Sequence, residues 1–363
     1  MAKGKKEVTC KTAKLDRWVI AKDVDGNTVK SVPDVFYMSW KDSKIEWKWC
    51  TDIPKDSTIK LQINADNIDI YVCGYIEDKK PFYGRPVEHE CSNISYLKSH
   101  LQKCIRRGNV KLAILTANAF IQLDMQNFLR RLSIILLEDT ILSSAFPVIV
   151  WLQIINSNGY PLNKSQIEWL YGCVYAMAKS EVRDELFYTS TDSELDTSPY
   201  KASLYKLDKE EQSYWMTMWL RKNYGGMKGD MKMINFLRNR WHQRFLSRTV
   251  KVPVWNIKPI SEPSQSLHNS DWIIAAIDFH CVPQILPNLA DRFDKYSEEE
   301  IKQAIWFCSS SKNFRRGVTD EIDQKISTYE QSQREKYFNV WKAVYHDFRS
   351  SSLFYLQTSC ANV

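Results

Sequence analysis

The feature that most constrains this chain is a single change of hydrophobic period. From Leu15 to Ile76 the apolar residues fall in short β-branched and aromatic runs: Arg17-Trp18-Val19-Ile20, Val35 to Trp40, Ile45 to Trp49, Ile59 to Ile63 and Ile68 to Val72. Several alternate with a period of two, which puts successive side chains on opposite faces of a strand. Turn-forming clusters at Asp25-Gly26-Asn27, Lys41-Asp42-Ser43 and Pro54 to Ser57 separate them, so an antiparallel sheet or barrel of about five or six strands is expected. After Ser95 the period becomes 3.6. Val110 to Ile121 is nearly all apolar, and Met125, Phe128, Leu129, Leu132, Ile135 and Leu136 form one helical face.

Further helices are expected at about 146–156, 165–186, 208–224, 230–248, 271–277, 298–307 and 320–348. Ser297 with Glu300 makes a capping box before one of them, and Thr319 caps the last. The fold class is therefore α+β: a small N-terminal antiparallel β domain followed by a larger, mostly α-helical domain. The organisation expected is a basic flexible tail at 1–14, a β-rich domain at 15–90 and a helical domain at 95–363 with a mobile acidic loop at 188–201.

Composition narrows the function. The 363 residues are 44% hydrophobic and carry 50 Lys and Arg against 43 Asp and Glu, a net charge of +7. That permits a nucleic-acid partner without demanding one. With 11 glycines and neither GxxxxGK[ST] nor GxGxxG, the chain is no autonomous P-loop ATPase. The nine cysteines stand singly with no CxxC spacing, so they read as free thiols; no metal and no cofactor is expected. Without a long apolar run or an apolar stretch behind the charged N-terminus, no membrane span and no secretory signal are expected, which places the protein in the nucleus or cytoplasm, a reducing compartment.

Two stretches carry more than periodicity. Leu97 to Asn109, with Lys103-Cys104-Ile105-Arg106-Arg107-Gly108, precedes the Ala-rich Leu112 to Ala117; Phe128 to Asp139 then contains Arg130-Arg131-Leu132 and Glu138-Asp139. Together these about 45 residues resemble the helical C-terminal region of the replication-associated recombination AAA+ ATPases, the family of MgsA, RarA and the Werner-helicase-interacting protein. The resemblance implies a collar-like oligomerisation region working at stalled replication forks, and hence a homo-oligomer. Arg107 stands where the family prefers glycine, and the ATPase module is replaced by the strand-rich segment, so ATP hydrolysis is not implied.

The residues themselves say something independent. Arg130 and Glu138, like Arg131 and Asp139, are eight positions apart and share a helix face. Both acids lie near the helix C-terminus, against its dipole, and call for basic partners on another helix, Arg106 or Arg107. Arg106, Arg130, Arg131, Glu138 and Asp139 are thus read as structural ion pairs.

The excess positive charge is concentrated elsewhere. Around the apolar stripe Met231, Ile234, Leu237, Trp241 and Phe245 lie Lys228, Lys232, Arg238, Arg240, Arg244, Arg248 and Lys251 against the single acid Asp230. A basic amphipathic helix of this kind suits phosphate contacts, with DNA favoured over RNA; the alternative is a solvated face opposite the acidic segment 184–196. Arg315 and Arg316, after Ser309-Ser310-Ser311, form a second basic loop suited to phosphate. Asp278 and His280, after an apolar run, are the alternative catalytic residues of an enzyme acting on a phosphate-bearing substrate; a satisfied core Asp–His pair is the competing reading. Leu15 and Trp18 faintly resemble the anchors of a sliding-clamp-binding peptide, making a clamp a candidate partner, although a first strand also explains them. The leading expectation is a non-enzymatic replication- or repair-associated accessory protein that binds nucleic acid or replication partners through the basic helix. A structural oligomerisation protein is a further alternative.

Overall fold

The computed structural model describes residues 34–41, 44–78, 80–84, 93–184, 206–292, 295–313, 335 and 337–355. The tail, Leu15, Trp18, the acidic loop, Arg315, Arg316 and Thr319 lie outside the described residues.

The architecture is α+β. Four strands, β1 (Val35–Lys41), β2 (Lys44–Cys50), β3 (Ile59–Ala65) and β4 (Ile68–Ile76), form one sheet in the order β2-β1-β4-β3. The expected antiparallel pairing holds within each hairpin, β1 with β2 and β3 with β4, but the central β1–β4 pair is parallel, so the sheet is mixed. The segment after β2 explains this, because it carries the chain from one edge of the sheet to the other before β3 begins. On that side Val35, Tyr37 and Cys73 form a small cluster with Ile53, and the Tyr37 hydroxyl donates to Asp56 at 2.9 Å. Asp66 and Asn67, both with positive φ (55° and 62°), close the β3–β4 hairpin in the two-residue geometry that matches strand twist.

The other face of the sheet, carrying Phe36, Met38, Trp40, Val72 and Ile76, joins the helices in one apolar core. Trp40 packs edge-on to Trp169 (5.9 Å), Trp47 to Tyr214 (5.0 Å), and Trp49 donates from Nε1 to Thr217 at 3.0 Å. Trp151 packs against β4 at Gly74 and donates to the Cys73 carbonyl at 3.0 Å. Gly74 permits that contact, since any Cβ there would collide with the Trp151 ring and the Met38 carbonyl.

The helices are α1 (Ile94–Arg106), α2 (Val110–Asp139), α3 (Ala145–Ser157), α4 (Lys164–Lys179), α5 (Lys209–Asn223), α6 (Lys228–Ser247), α7 (Asp278–Ile285) and α8 (Glu298–Ile305), which runs on into a π turn, Trp306–Ser310. Residues 337–355 form α9. The two apolar periodic stretches near 110–121 and 125–136 are the arms of α2, which kinks at Asp124 (φ −157°, ψ 87°); the Asp124 carboxylate re-caps the second arm at Asn127 N, 2.9 Å away. Ser297 and Glu300 form the capping box of α8. A helix over 271–277 does not form: two 3-10 turns, Asn269–Asp271 and Ile274–Ala276, stand there before α7. The Ile273 N–H instead donates to His100 Nε2 at 3.1 Å. His100 is buried and neutral, so its Nδ1–H donates to Thr116 Oγ1 (2.7 Å), whose own O–H donates to the Leu112 carbonyl (2.6 Å). Burial depresses its pKa to about 3.

Candidate functional site

Three places hold the sequence-derived candidates, and a fourth emerges only in the fold. The first is the junction of α1 and α2. Gly108, at φ 68°, turns the chain between them so that they lie side by side. Arg106 is buried; its Nε donates to Asp139 Oδ1 at 2.5 Å, Nη2 to Glu138 Oε1 at 3.2 Å and Nη1 to the Ser310 carbonyl at 3.3 Å. Asp139 also accepts from Gln102 Nε2 (2.8 Å) and Asn313 Nδ2 (3.3 Å). Arg131 donates to Gln102 and lies 3.9 Å from Glu138 and 3.7 Å from Asp230. Burial by itself would raise the Asp139 carboxyl, but Arg106, by charge and hydrogen bond, holds it below its usual value. Glu138 moves the opposite way, raised by burial and by the adjoining Asp139 charge. Lys103, on α1 with Arg106, is lowered to about 8 by burial and by the Arg106 charge. Arg107 Nη2 donates to the Ser309 carbonyl at 2.6 Å. Arg130 is exposed, so the Arg130–Glu138 helix-face pair gives way to Arg131–Glu138.

The second place is α6, whose apolar stripe faces the core as expected. Its basic residues do not form one open row. Arg238 is fully buried with its guanidinium over Trp215 (4.6 Å) and a 2.7 Å bond to Asn235 Oδ1. Arg244 is buried and grips Asp184 through two 2.8 Å bonds, while Trp241 Nε1 donates to the same carboxylate at 2.9 Å. Arg248, the left-handed C-cap, pairs with Asp208 (3.6 Å) and Glu211 at the start of α5. The reason is angular. At roughly 100° per residue, positions 238 and 244 fall within about 80° of the stripe's centre and turn inward, whereas Arg248, at the end of the helix, stays exposed. Lys228 and Lys232 stay exposed and Arg240 is half-buried. Asp184, the first residue of the acidic segment, meets the helix at Trp241 and Arg244.

The third place is α7. Asp278 is fully buried, and burial raises its carboxyl to about 6 against the lowering effect of the neighbouring Ser309 hydroxyl. His280, two residues on, points about 200° away, to the surface, with its ring 5.8 Å from Tyr96. The two therefore make neither an acid–base pair nor a core Asp–His pair. Ser309 and Ser310 are buried, and their carbonyls are held by Arg107 and Arg106, so this end of the loop binds arginine. Among the described residues, no His, Cys, Asp or Glu cluster is suited to a metal ion.

The fourth place is a groove of about 910 Å³ beside β2, lined by Ile45, Trp47, Trp49, Trp169, Tyr214 and Trp255. A contiguous hollow of about 340 Å³ shares Ile45, Trp169, Trp255 and Ile257. One wall is β2, an edge strand; the other is the extended connector after α6. The connector is fixed: Ser144 N donates to the Pro253 carbonyl (3.0 Å), Trp255 N to Ser144 Oγ (2.9 Å) and Ile260 N to the Glu168 carbonyl (2.9 Å). Gly172 on α4 lets it approach, since a Cβ there would strike the Lys258 carbonyl. The signal in the sequence was the alternation Ile45-Glu46-Trp47-Lys48-Trp49, which marks a strand but not which edge it occupies.

Compared with known proteins, the chain matches no family model, no curated protein and no solved structure.

Proposed function

We propose that this protein is a non-enzymatic accessory protein of DNA replication or repair that acts by binding partners, with the α1–α2 region serving a collar-like, oligomer-forming role. The observation that carries the reading is the junction itself: the stretches 97–109 and 128–139, which bear the resemblance, pack together through Arg106, Glu138 and Asp139. That use of the charged residues is architectural, and it suits a collar better than a chemical centre. An acid–base role for Asp278 and His280 has no geometric support, because the two face apart.

If nucleic acid is a partner, the exposed side of α6 supplies the contacts through Lys228 and Lys232. Binding of the full chain to a forked DNA duplex and to an RNA hairpin, followed across a salt series, tests this. Two phosphate contacts predict a slope of log affinity on log salt of about −1.5 to −2. Lys228→Glu with Lys232→Glu should flatten it by about two contacts for every sequence tested. Absence of binding to both probes removes nucleic acid as a partner; a sedimentation profile that stays monomeric at high concentration removes the collar role.

A further inference from the structure

We infer that the groove between β2 and the connector is a docking site for an extended segment of another protein, one whose sequence alternates apolar and acidic residues, added as a fifth strand to the free edge of β2. This names a partner class for the binding role proposed above and rests on that reading.

The edge is the first argument. β2 pairs only with β1, and among the described residues no strand covers its other side. An uncovered edge presents a row of backbone donors and acceptors that a second chain can complete. Consecutive residues Trp47 to Thr51 line the groove, so it borders the strand's backbone edge as well as one of its faces.

The chemistry of the two faces is the second argument. On the inner face Ile45, Trp47 and Trp49 alternate, and across the gap stand half-buried Trp255 and Ile257. An added strand would place every second side chain here. The rings of Trp49, Trp169 and Tyr214 are only 8%, 6% and 1% exposed. Buried to this extent, these three rings leave no open face for bases to stack on, which disfavours single-stranded nucleic acid. On the outer face, β2 and its neighbour β1 carry Lys41, Lys44 and Lys48 against Glu46 alone. Lys44 is taken by Glu46 at 2.7 Å, while Lys41 and Lys48 lie over Tyr75 and Tyr37. Of these, Lys48 stands on β2 itself with no acid paired to it among the described residues, so it is the cation that the intervening residues of an added strand meet, and cross-strand pairing there favours an acid.

The third argument is preorganisation. The connector wall is already bonded to α3 and α4, so binding has little backbone to order on that side.

The probes are fluorescein-labelled twelve-residue peptides, one alternating valine and glutamate and one alternating valine and lysine, with an oligothymidylate of equal length. Each is titrated against the full chain by fluorescence anisotropy, and amide hydrogen exchange is read over β2. The glutamate peptide should bind at least about tenfold more tightly than the lysine peptide and should slow exchange within residues 44–50. Trp255→Ala, outside the sheet, should weaken it by about tenfold with the thermal midpoint held. Lys48→Glu should erase the preference between the peptides. No anisotropy change, binding that leaves exchange in 44–50 unaltered, or tighter binding of the oligothymidylate would each overturn the inference. If the peptides fail while forked DNA binds in the test above, the groove inference falls and the accessory-protein reading stands.

Discussion

Two buried arginine–aspartate pairs hold this protein together, and they are built differently. Arg106–Asp139 sits in a shared network, where the acid also accepts from Gln102 and Asn313 and the arginine also reaches Glu138 and a backbone carbonyl. Arg244–Asp184 is a fork in which two parallel bonds hold one carboxylate that also accepts from Trp241 Nε1, with the Arg244 guanidinium over that ring (4.8 Å). The network spreads its charge over several partners, so losing one leaves others. The fork concentrates it, so losing the acid strands a buried guanidinium. Removing one partner of a buried pair exacts a larger cost than the pair's net contribution, because the survivor stays desolvated.

The largest effect should therefore come from Asp184→Asn, about 3–5 kcal/mol of unfolding free energy by denaturant titration, with α5, α6 and the connector loosened in hydrogen exchange. Arg106→Met should cost less, about 2–4 kcal/mol, because Gln102 and Asn313 still serve Asp139. An equal or larger loss for Arg106→Met would break the distinction between network and fork.

A second buried pair of groups sharpens it through pH. His100 is depressed from 6.5 to about 3, so between those values the unfolded chain binds the extra proton. Its contribution is complete above pH 6.5 and is lost as pH falls, at up to about 1.4 kcal/mol per pH unit. Asp278 is raised from 3.8 to about 6, so the folded chain holds the extra proton there and stability declines as pH rises through that window. Between about pH 4 and 6 the two oppose each other. Asp278→Asn should steepen acid destabilisation in that window and leave a variant less penalised at pH 7; His100→Gln should expose the opposite slope. Melting series across pH 4–7 check both.

The smallest effect belongs to the outward side of α6. Lys228→Glu and Lys232→Glu should change stability by less than about 0.5 kcal/mol, whereas Arg238→Met, which strips the cation from Trp215, should cost about 1–2 kcal/mol. Similar values for the two would mean that the helix is rotated from the orientation described.

How legible each part was follows from where its partners lie. The period change separates sheet from helices because burial on one face writes itself locally, and the stripe of α6 and the capping box of α8 are read the same way. The need of Glu138 and Asp139 for a basic partner was visible because two acids at a helix C-terminus are locally unfavourable, and Arg106 lies one helix earlier. The helical angle sets Arg238 and Arg244 toward the stripe, but nothing local names the partners that let them stay there, Trp215 and Asp184, the latter 60 residues before Arg244. The parallel pairing of β1 with β4 was hidden for a related reason, since each hairpin is local but their order in the sheet is not. The groove needed the connector, β2 and α5 brought together, and proline-rich extended chain carries no periodicity to announce it. The division between a β-rich part ending at 90 and a helical part beginning at 95 rests on the period change, which is local, whereas the core that Trp40, Trp49 and Trp151 share across both parts is not.

A double-mutant cycle on Arg106 and Asp139 tests the central claim that the charged motif residues are an architectural lock. Arg106→Met and Asp139→Leu, singly and together, are compared by equilibrium unfolding of the full chain. The account predicts that each single change costs about 2–5 kcal/mol and that the double variant is about 2–3 kcal/mol more stable than the sum of the two losses implies, because no charge is left stranded. Additive losses, or single variants as stable as the parent, would contradict it.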